Sequence, residues 1–388
     1  MSWTEELKNN IETIDQLKEY VDIPHDQERR LKRVIDVHPM SITRYYASLI
    51  NKDDPNDPIK GLIVPSTAEL DLSGTYDTSG EKSNTVLTGL QHKYKQTALI
   101  LSTNRCSAYC RFCFRKRLVG KPSHEIIEQF KEAVNYVSDH KEITNVLISG
   151  GDPFILYTDI IKVFLDELAD IDHLDFIRFG TRVPVVFPQR IIEDDELVRM
   201  LSEYCDKQRQ IFIVTHFNHP NELTEDAKKA VYKMRKAGLI INNQTVLFKG
   251  INDNSEILAE LMRKLLRMGV NPYYVFQCRP VKRVKKHFQV PLVQAVDIVE
   301  KAKGYLEGHG KRFKFIMSHK TGKIEIIGII GDEIYLKYHQ AKDPKNMGRF
   351  FKRKINPYAG WLDDLENDRK PPQSPLQEPG PKPLSAIR

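Results

Sequence analysis

The sequence contains no unbroken apolar run of roughly 18 residues, so no segment is expected to cross a membrane as a helix. The opening residues, from Met1 to Lys8, lack the apolar stretch of a secretory signal. Cysteine is scarce, five in 388 residues, and three of the five fall within one stretch of eight. Such a distribution is no framework for a disulfide-stapled secreted domain. Together these absences predict a cytoplasmic protein. Neither sign of charge dominates: 59 Lys and Arg stand against 52 Asp and Glu, a net +7. That balance permits anionic ligands without arguing for nucleic acid. The most basic run, from Lys282 to His287, has no interleaved aromatics and reads as a solvated face. No nucleic-acid or membrane partner is expected.

What is present begins with 40% apolar residues, enough for a sizeable core in one barrel with additions or in two domains. Residues 1–60 read as helical, with Ile11, Leu17, Tyr20 and Val21 as a stripe and Ser41 as a cap before a further apolar run. Residues 51–58 form a loop, and 61–91 show no assignable pattern. From 98 onward short apolar strands alternate with amphipathic helices. The expected strands are 98–103, 145–151, 176–181, 211–216, 240–248 and 272–277. Helices are expected at 125–138, 160–168, 194–204, 225–237 (closed by Gly238) and 256–268. Six such units imply an α/β fold with a parallel sheet, a partial (βα)6 barrel open on one side. A helix at 292–306 and strands at 314–318 and 323–330 follow. Four regions result: a mainly helical 1–95, the barrel 96–290, an α/β extension 291–360, and a proline-rich tail 361–388 that reads as disordered.

The chemistry centres on Cys106, Cys110 and Cys113, spaced CxxxCxxC behind the first barrel strand. Three thiolates can hold three irons of a 4Fe–4S cluster and leave the fourth open, whereas ferredoxin-type clusters take four cysteines. A disulfide with a spare thiol is an alternative. So is zinc with His92 or His124 as the fourth ligand, although structural zinc favours closed four-ligand sites and neither histidine has finger spacing. The open cluster is the better reading, and the spacing resembles the signature of the radical S-adenosylmethionine (SAM) superfamily. In parallel barrels functional residues gather at the C-terminal ends of strands, and unusual residues sit there in this chain. Ser149, Gly150, Gly151 and Asp152 end the second strand and suit the ammonium of an amino-acid-like cofactor; a plain tight turn is the bland alternative. Arg182 follows the third strand, His216 and His219 the fourth; Gln244 lies in the fifth, and Cys278 and Arg279 follow the sixth. The two histidines read as barrel-mouth packing rather than a metal pair, and Cys205 and Cys278 as buried thiols. Lys320 and Lys323 flank a Thr-Gly turn. Either is by default a surface hairpin lysine, or else a lysine able to hold pyridoxal phosphate (PLP).

Taken in order, the blocks 40–50, 103–113, 147–152, 182–186, 215–222, 243–246 and 272–278 resemble the lysine 2,3-aminomutase family of radical SAM, PLP-dependent enzymes, and the likeness spans residues 35–330. The resemblance implies an isomerase that converts an α-amino acid to a β-amino acid through a 5′-deoxyadenosyl radical. It assigns the cluster to Cys106, Cys110 and Cys113, SAM to Ser149, Gly150, Gly151 and Asp152, and PLP to Lys323, with Gln244 facing the cofactors. It gives Arg115 the substrate α-carboxylate, a task that suits a guanidinium fork. It also implies a small-molecule amino-acid substrate, an electron donor such as a ferredoxin or flavodoxin, and a homo-oligomer. The chain departs from the family at several points. Arg279 and Ile316 stand where lysine aminomutases carry two aspartates for the substrate's ammonium, Lys93 and Thr97 where arginines are expected near the PLP phosphate, and the zinc cysteines of some members are absent. Arg279 would repel a lysine side chain and attract a carboxylate, which favours an acidic or neutral substrate. The alternatives are free lysine, a protein-bound lysine, or a non-catalytic Fe–S protein for electron transfer or sensing.

Overall fold

Twelve strands join side by side in chain order to form one sheet. They are seen in a computed structural model that describes residues 2–206 and 210–365. The strands are β1 (Thr85–Leu87), β2 (Leu90–Tyr94), β3 (Thr97–Thr103), β4 (Asn145–Gly150), β5 (Phe176–Gly180), β6 (Gln210–Thr215), β7 (Ile240–Leu247), β8 (Asn271–Gln277), β9 (Lys314–His319), β10 (Gly322–Ile330), β11 (Glu333–Ala341) and β12 (Phe350–Lys354). Strands β3 to β8 are the six expected barrel strands, and every neighbouring pair among them is parallel. Their alternation is visible in β7, where Ile241, Asn243, Thr245 and Leu247 are buried and the residues between them are half-buried. Crossover helices cover the sheet. The helix Ser255–Arg267 is capped by the Asn254 side chain, which accepts from the backbone N–H of Glu256 and Ile257, and it buries Leu258, Leu261, Met262 and Leu265. Gly238 ends the helix Glu225–Lys236 at φ +83°, a left-handed turn that glycine adopts without Cβ strain.

The structure extends and corrects the sequence reading in several places. β9 pairs parallel with β8, Tyr274 opposite Lys314, so the sheet runs without a break across the expected boundary at 290. β10, β11 and β12 then continue it as an antiparallel meander. Within the region expected to be mainly helical, β1 and β2 form an antiparallel lead-in to β3. The helix expected from 125 starts only at Phe130. Ahead of it the Ile127 N–H donates to the Leu101 carbonyl at 2.9 Å, and this extended pairing delays the helix. Ser41 does not cap; Thr43 does, its hydroxyl accepting from the Tyr46 N–H, while the Ser41 hydroxyl accepts from Asn10 Nδ2 at 2.8 Å. Trp361 and Leu362 are buried and open the helix Leu362–Leu365, so packed structure continues past the expected start of the tail. The rest of that tail lies outside the described residues. Among the described residues no helix is long and apolar enough to cross a membrane.

Candidate active site

The loop after β3 carries the three cysteines, and it is held from outside as well as from within. The Tyr109 N–H donates to the Ser41 carbonyl at 2.8 Å and the Arg111 N–H to the Leu62 carbonyl at 3.0 Å, which ties the loop to the N-terminal region. Arg111 reaches Glu69 through Nε and Nη2, both at 2.8 Å, and Lys116 Nζ lies 2.6 Å from the same carboxylate. All three side chains are buried. Burial alone would raise the carboxyl's pKa, but Arg111 and Lys116 overcome it and hold Glu69 at about 2. Breaking a buried pair from one side costs roughly 3–5 kcal/mol, because the other charge is left uncompensated. Glu69→Gln is therefore expected to lower the unfolding free energy of the metal-free chain, read by denaturant titration, by about that much. The contribution of Glu69 is fully present above its ordinary value of 4.5 and is lost as pH falls toward about 2, so the difference between the two proteins should shrink in acid.

The turn after β4 lies directly against this loop. The Gly151 N–H donates to the Thr103 carbonyl at 2.5 Å and the Asp152 N–H to the Arg105 carbonyl at 2.7 Å. A Cβ on Gly151 would sit 1.9 Å from the Arg105 carbonyl oxygen, and Gly150 has φ +122° with no room beside Thr103. The two glycines thus serve the approach of one cofactor loop to the other. Asp152 accepts from the Phe154 N–H at 3.0 Å and from the Arg182 N–H at 2.7 Å, so its carboxylate fixes the turn and the end of β5.

The residues predicted for the site converge on one cavity of about 390 Å³. Its lining includes Cys106, Cys110 and Cys113, Ser149 to Asp152, Gln244, Arg115, Arg279 and Lys323. The cysteines keep part of their surface open. Burial first and then Cys110 push Cys113 up to about 11, and burial followed by Asp152 raises Cys106 well above the ordinary thiol value. The Cys106 and Cys113 thiols are therefore protonated, and a metal must displace those protons on binding. Among the described residues no trio of His, Cys, Asp or Glu converges as a single ion would require. The three cysteines line the one cavity and bring to it the soft sulfur donors that iron–sulfur clusters take. His216 faces the cavity, but His219 does not; its Nδ1 accepts from the Asn221 N–H. The pair is no metal site.

Lys323 projects from β10 into the cavity and is half-buried. Its ammonium lies 4.8 Å from the centre of the Tyr274 ring and 5.9 Å from that of Tyr94. Burial first, then Arg178, Arg279 and Lys93, lower its pKa to about 7. Lys320 points away: its side chain is 60% exposed and pairs with Asp363 at 3.3 Å. Several buried polar atoms of the cavity wall lack partners, among them Tyr94 Oη, Gln340 Oε1, Arg178 Nε and Asn84 Oδ1. Gln340 is the cross-strand neighbour of Lys323. Unpaired buried groups are rare in folded proteins, and here they mark space shaped for a polar ligand.

Arg115 and Arg279 both lie over the Phe114 ring, at 4.7 and 4.2 Å from its centre. Arg115 gives Nε to Glu81 at 3.1 Å and Nη1 to Ser149 Oγ at 3.2 Å and the Gly150 carbonyl at 3.3 Å. Glu81 also pairs with Arg117 at 2.6 Å. Arg279 gives Nη1 to Ser79 Oγ and Nη2 to Ser318 Oγ, each at 2.9 Å, and no carboxylate of the described residues is in ion-pair contact with it. Ser79 and Glu81 were missed in the sequence because the stretch that holds them has no periodicity. Arg178 could have been found, since a charge at an otherwise apolar strand position signals a reason to be there.

A sheet of parallel strands with three cysteines at the mouth of its first βα loop defines a radical SAM enzyme. Consistent with this, residues 100–262 match the sequence family described as the Radical SAM superfamily. Over longer spans the chain is 41% identical to an Aquifex aeolicus protein provisionally named L-lysine 2,3-aminomutase, covering 92% of this chain and 96% of that one. It is 36% identical to the L-lysine 2,3-aminomutase of Acetoanaerobium sticklandii (79% and 73%) and 36% identical to the glutamate 2,3-aminomutase of Clostridioides difficile (78% and 71%). The chain belongs to the lysine 2,3-aminomutase family. It is an isomerase of the radical SAM aminomutase type, working with a 4Fe–4S cluster, SAM, a small-molecule substrate and a reductant.

Proposed function

We propose that the protein is a PLP-dependent 2,3-aminomutase whose substrate is an α-amino acid with a side-chain carboxylate. Identity to the relatives does not set the substrate: proteins named for lysine match at 35–41% and one named for glutamate at 36%, inside that range. The observation that carries the choice is Arg279. It is a guanidinium on the cavity wall, stacked on Phe114 and braced by two serine hydroxyls, with no carboxylate of the described residues in ion-pair contact with it. Such a group receives an anion and repels the ammonium of lysine.

In this reading Cys106, Cys110 and Cys113 hold the cluster, and the turn from Ser149 to Asp152, with Gln244, borders SAM. Lys323 holds PLP, and its lowered pKa leaves a large neutral fraction of the amine near pH 7, the form able to bond a carbonyl carbon. Lys93 and Arg178 add positive charge for the phosphate end. When bound, the cluster with SAM supplies a carbon radical and PLP an electron-delocalising ring. The protein's own part is orientation. Arg115 presents its remaining Nη2 to the α-carboxylate, and Arg279 takes the side-chain carboxylate. Phe114 sets the spacing between the two guanidinium groups and excludes water from the region between them.

The test is anaerobic incubation of the reconstituted chain with a panel of amino acids, reading β-amino acid and 5′-deoxyadenosine. An acidic substrate should give both. Efficient turnover of lysine, undiminished in Arg279→Asp, would overturn the substrate assignment.

A further inference from the structure

Arg182 takes part in none of the substrate contacts described above, yet it reaches a cluster cysteine. Its Nη1 donates to Cys110 Sγ at 2.8 Å, and its guanidinium also lies 5.3 Å from the centre of the Phe112 ring within the cysteine loop. The rest of the fork is fully engaged. Nε donates to the His216 carbonyl at 3.2 Å, and Nη2 donates to Tyr46 Oη at 2.9 Å and to the Glu222 carboxylate. The Tyr46 hydroxyl donates to the same carboxylate at 2.6 Å. The other oxygen of Glu222 accepts the backbone N–H groups of Asn218 at 2.5 Å and His219 at 3.1 Å. Arg182, Tyr46 and Glu222 are all buried. Two further elements, the turn after β6 and the helix Arg44–Ala47, therefore converge on the guanidinium that the end of β5 presents to this sulfur. A structural ion pair would not need to aim a spare N–H at a cysteine.

We propose that Arg182 is a positioning residue that raises the reduction potential of the cluster, with Glu222 setting how much of its charge the cluster feels. A hydrogen bond to a ligand sulfur and a nearby positive charge both stabilise the reduced, more negative cluster, and such contacts are among the main levers on Fe–S potentials. The effect is strong here because the guanidinium is enclosed by protein rather than water. Glu222 opposes it from farther away, since the guanidinium stands between the carboxylate and Cys110. Tyr46 shares the carboxylate and fixes the fork's rotation, so that Nη1 stays on the sulfur. Electrons come from an external low-potential one-electron donor, and the potential determines what fraction of the cluster that donor reduces. The inference rests on Cys110 as a cluster ligand but on neither PLP nor the choice of substrate.

The test is potentiometry of the full chain reconstituted anaerobically with iron and sulfide, in the absence of substrate. The reduced cluster is followed by its electron paramagnetic resonance. Two variants are compared with the unsubstituted protein. Glu222→Gln keeps the guanidinium and removes the opposing charge, and its potential should rise. In the double variant Arg182→Gln with Glu222→Gln, both charges go and no lone buried charge is left, and the potential should fall below that of the unsubstituted protein. The expected fall is at least a tenfold loss of reduced cluster at a fixed solution potential, which is about 59 mV for a one-electron couple. Shifts of the same sign in both variants, or no shift in either, would overturn the proposal. If the double variant fails to take up iron, Glu222→Gln decides alone, and an unchanged potential there overturns it. Cys110→Ala separates this inference from its premise. Full cluster content in that variant would refute the ligand assignment, whereas loss of cluster there with unmoved potentials in the others would refute only the role of Arg182.

Discussion

Lys323→Ala is expected to abolish both the visible-edge absorption that bound PLP gives on reaction with lysine and all formation of β-amino acid, while Lys320→Ala retains both. The two lysines are three residues apart and flank the same turn, but the strand register sends them to different places. Lys323 pairs across β10 with Ser318 on one side and Gln340 on the other, and its side chain faces the cavity. Lys320 sits in the turn with its side chain in solvent beside Asp363. The Lys323 amine has its pKa brought down to about 7, by burial first and then by Arg178, Arg279 and Lys93. The substitution also removes a cation from a crowded positive region, so Lys323→Ala should fold at least as well as the unsubstituted chain. That makes loss of the absorption interpretable. Retention of the absorption in Lys323→Ala and its loss in Lys320→Ala would move PLP to the turn and undo the assignment.

The turn shows why some of the site was legible in the sequence and some was not. The cysteines and the Ser149–Asp152 turn announce themselves through spacing and through their place at strand ends, which local patterns reveal, whereas Lys323 is preferred to Lys320 only through the family resemblance. The strap carrying Ser79 and Glu81 has no such signature. Its path is set by distant partners: Thr75 bridges Val281, the Thr75 N–H donates to the Pro280 carbonyl at 3.0 Å, and Lys93 Nζ donates to the Ser79 carbonyl at 3.0 Å. The partners of Thr75 lie about 200 residues away, beyond any local window of sequence. β11 is a different case. Its Ile334, Leu336 and Tyr338 alternate inward as a strand should, so its omission was a failure to apply a visible period. β12 is an edge strand with only partial cover, and its residues Phe350 to Lys354 leave little for a pattern to detect. Gly150 and Gly151 were correctly located, but the structure changes their reason. They admit the backbone of the cysteine loop, a contact between two motifs that the sequence displays separately.

Arg279→Asp should cut kcat/KM for the acidic substrate by about 2–5 kcal/mol of binding, roughly 30- to 5000-fold, the range for removing one partner of a hydrogen-bonded charge pair. The loss should fall on both the substrate's retention and its orientation, because the side-chain carboxylate then meets a carboxylate instead of a guanidinium. Arg279→Met tests the attraction without adding repulsion, and its loss should be the smaller of the two. In either variant Arg115 keeps its bonds to Glu81, Ser149 and the Gly150 carbonyl, so the α-carboxylate site survives and any loss is specific to the side-chain end. The electrostatics of the wall predict a further asymmetry. Glu81 is near enough to lower its own pKa partly through Arg279, although burial opposes this and Arg115 and Arg117 contribute more. Replacing Arg279 by Asp therefore turns one wall of the cavity from cationic to anionic while leaving Glu81 in place. A substrate with a cationic side chain should then gain relative to one with a carboxylate, and the ratio of the two kcat/KM values is the measurement that isolates this change from any general loss of activity. A ratio that does not move would mean that the side chain of the substrate never reaches Arg279, and the acidic-substrate reading would fall while the cysteine and lysine assignments stood.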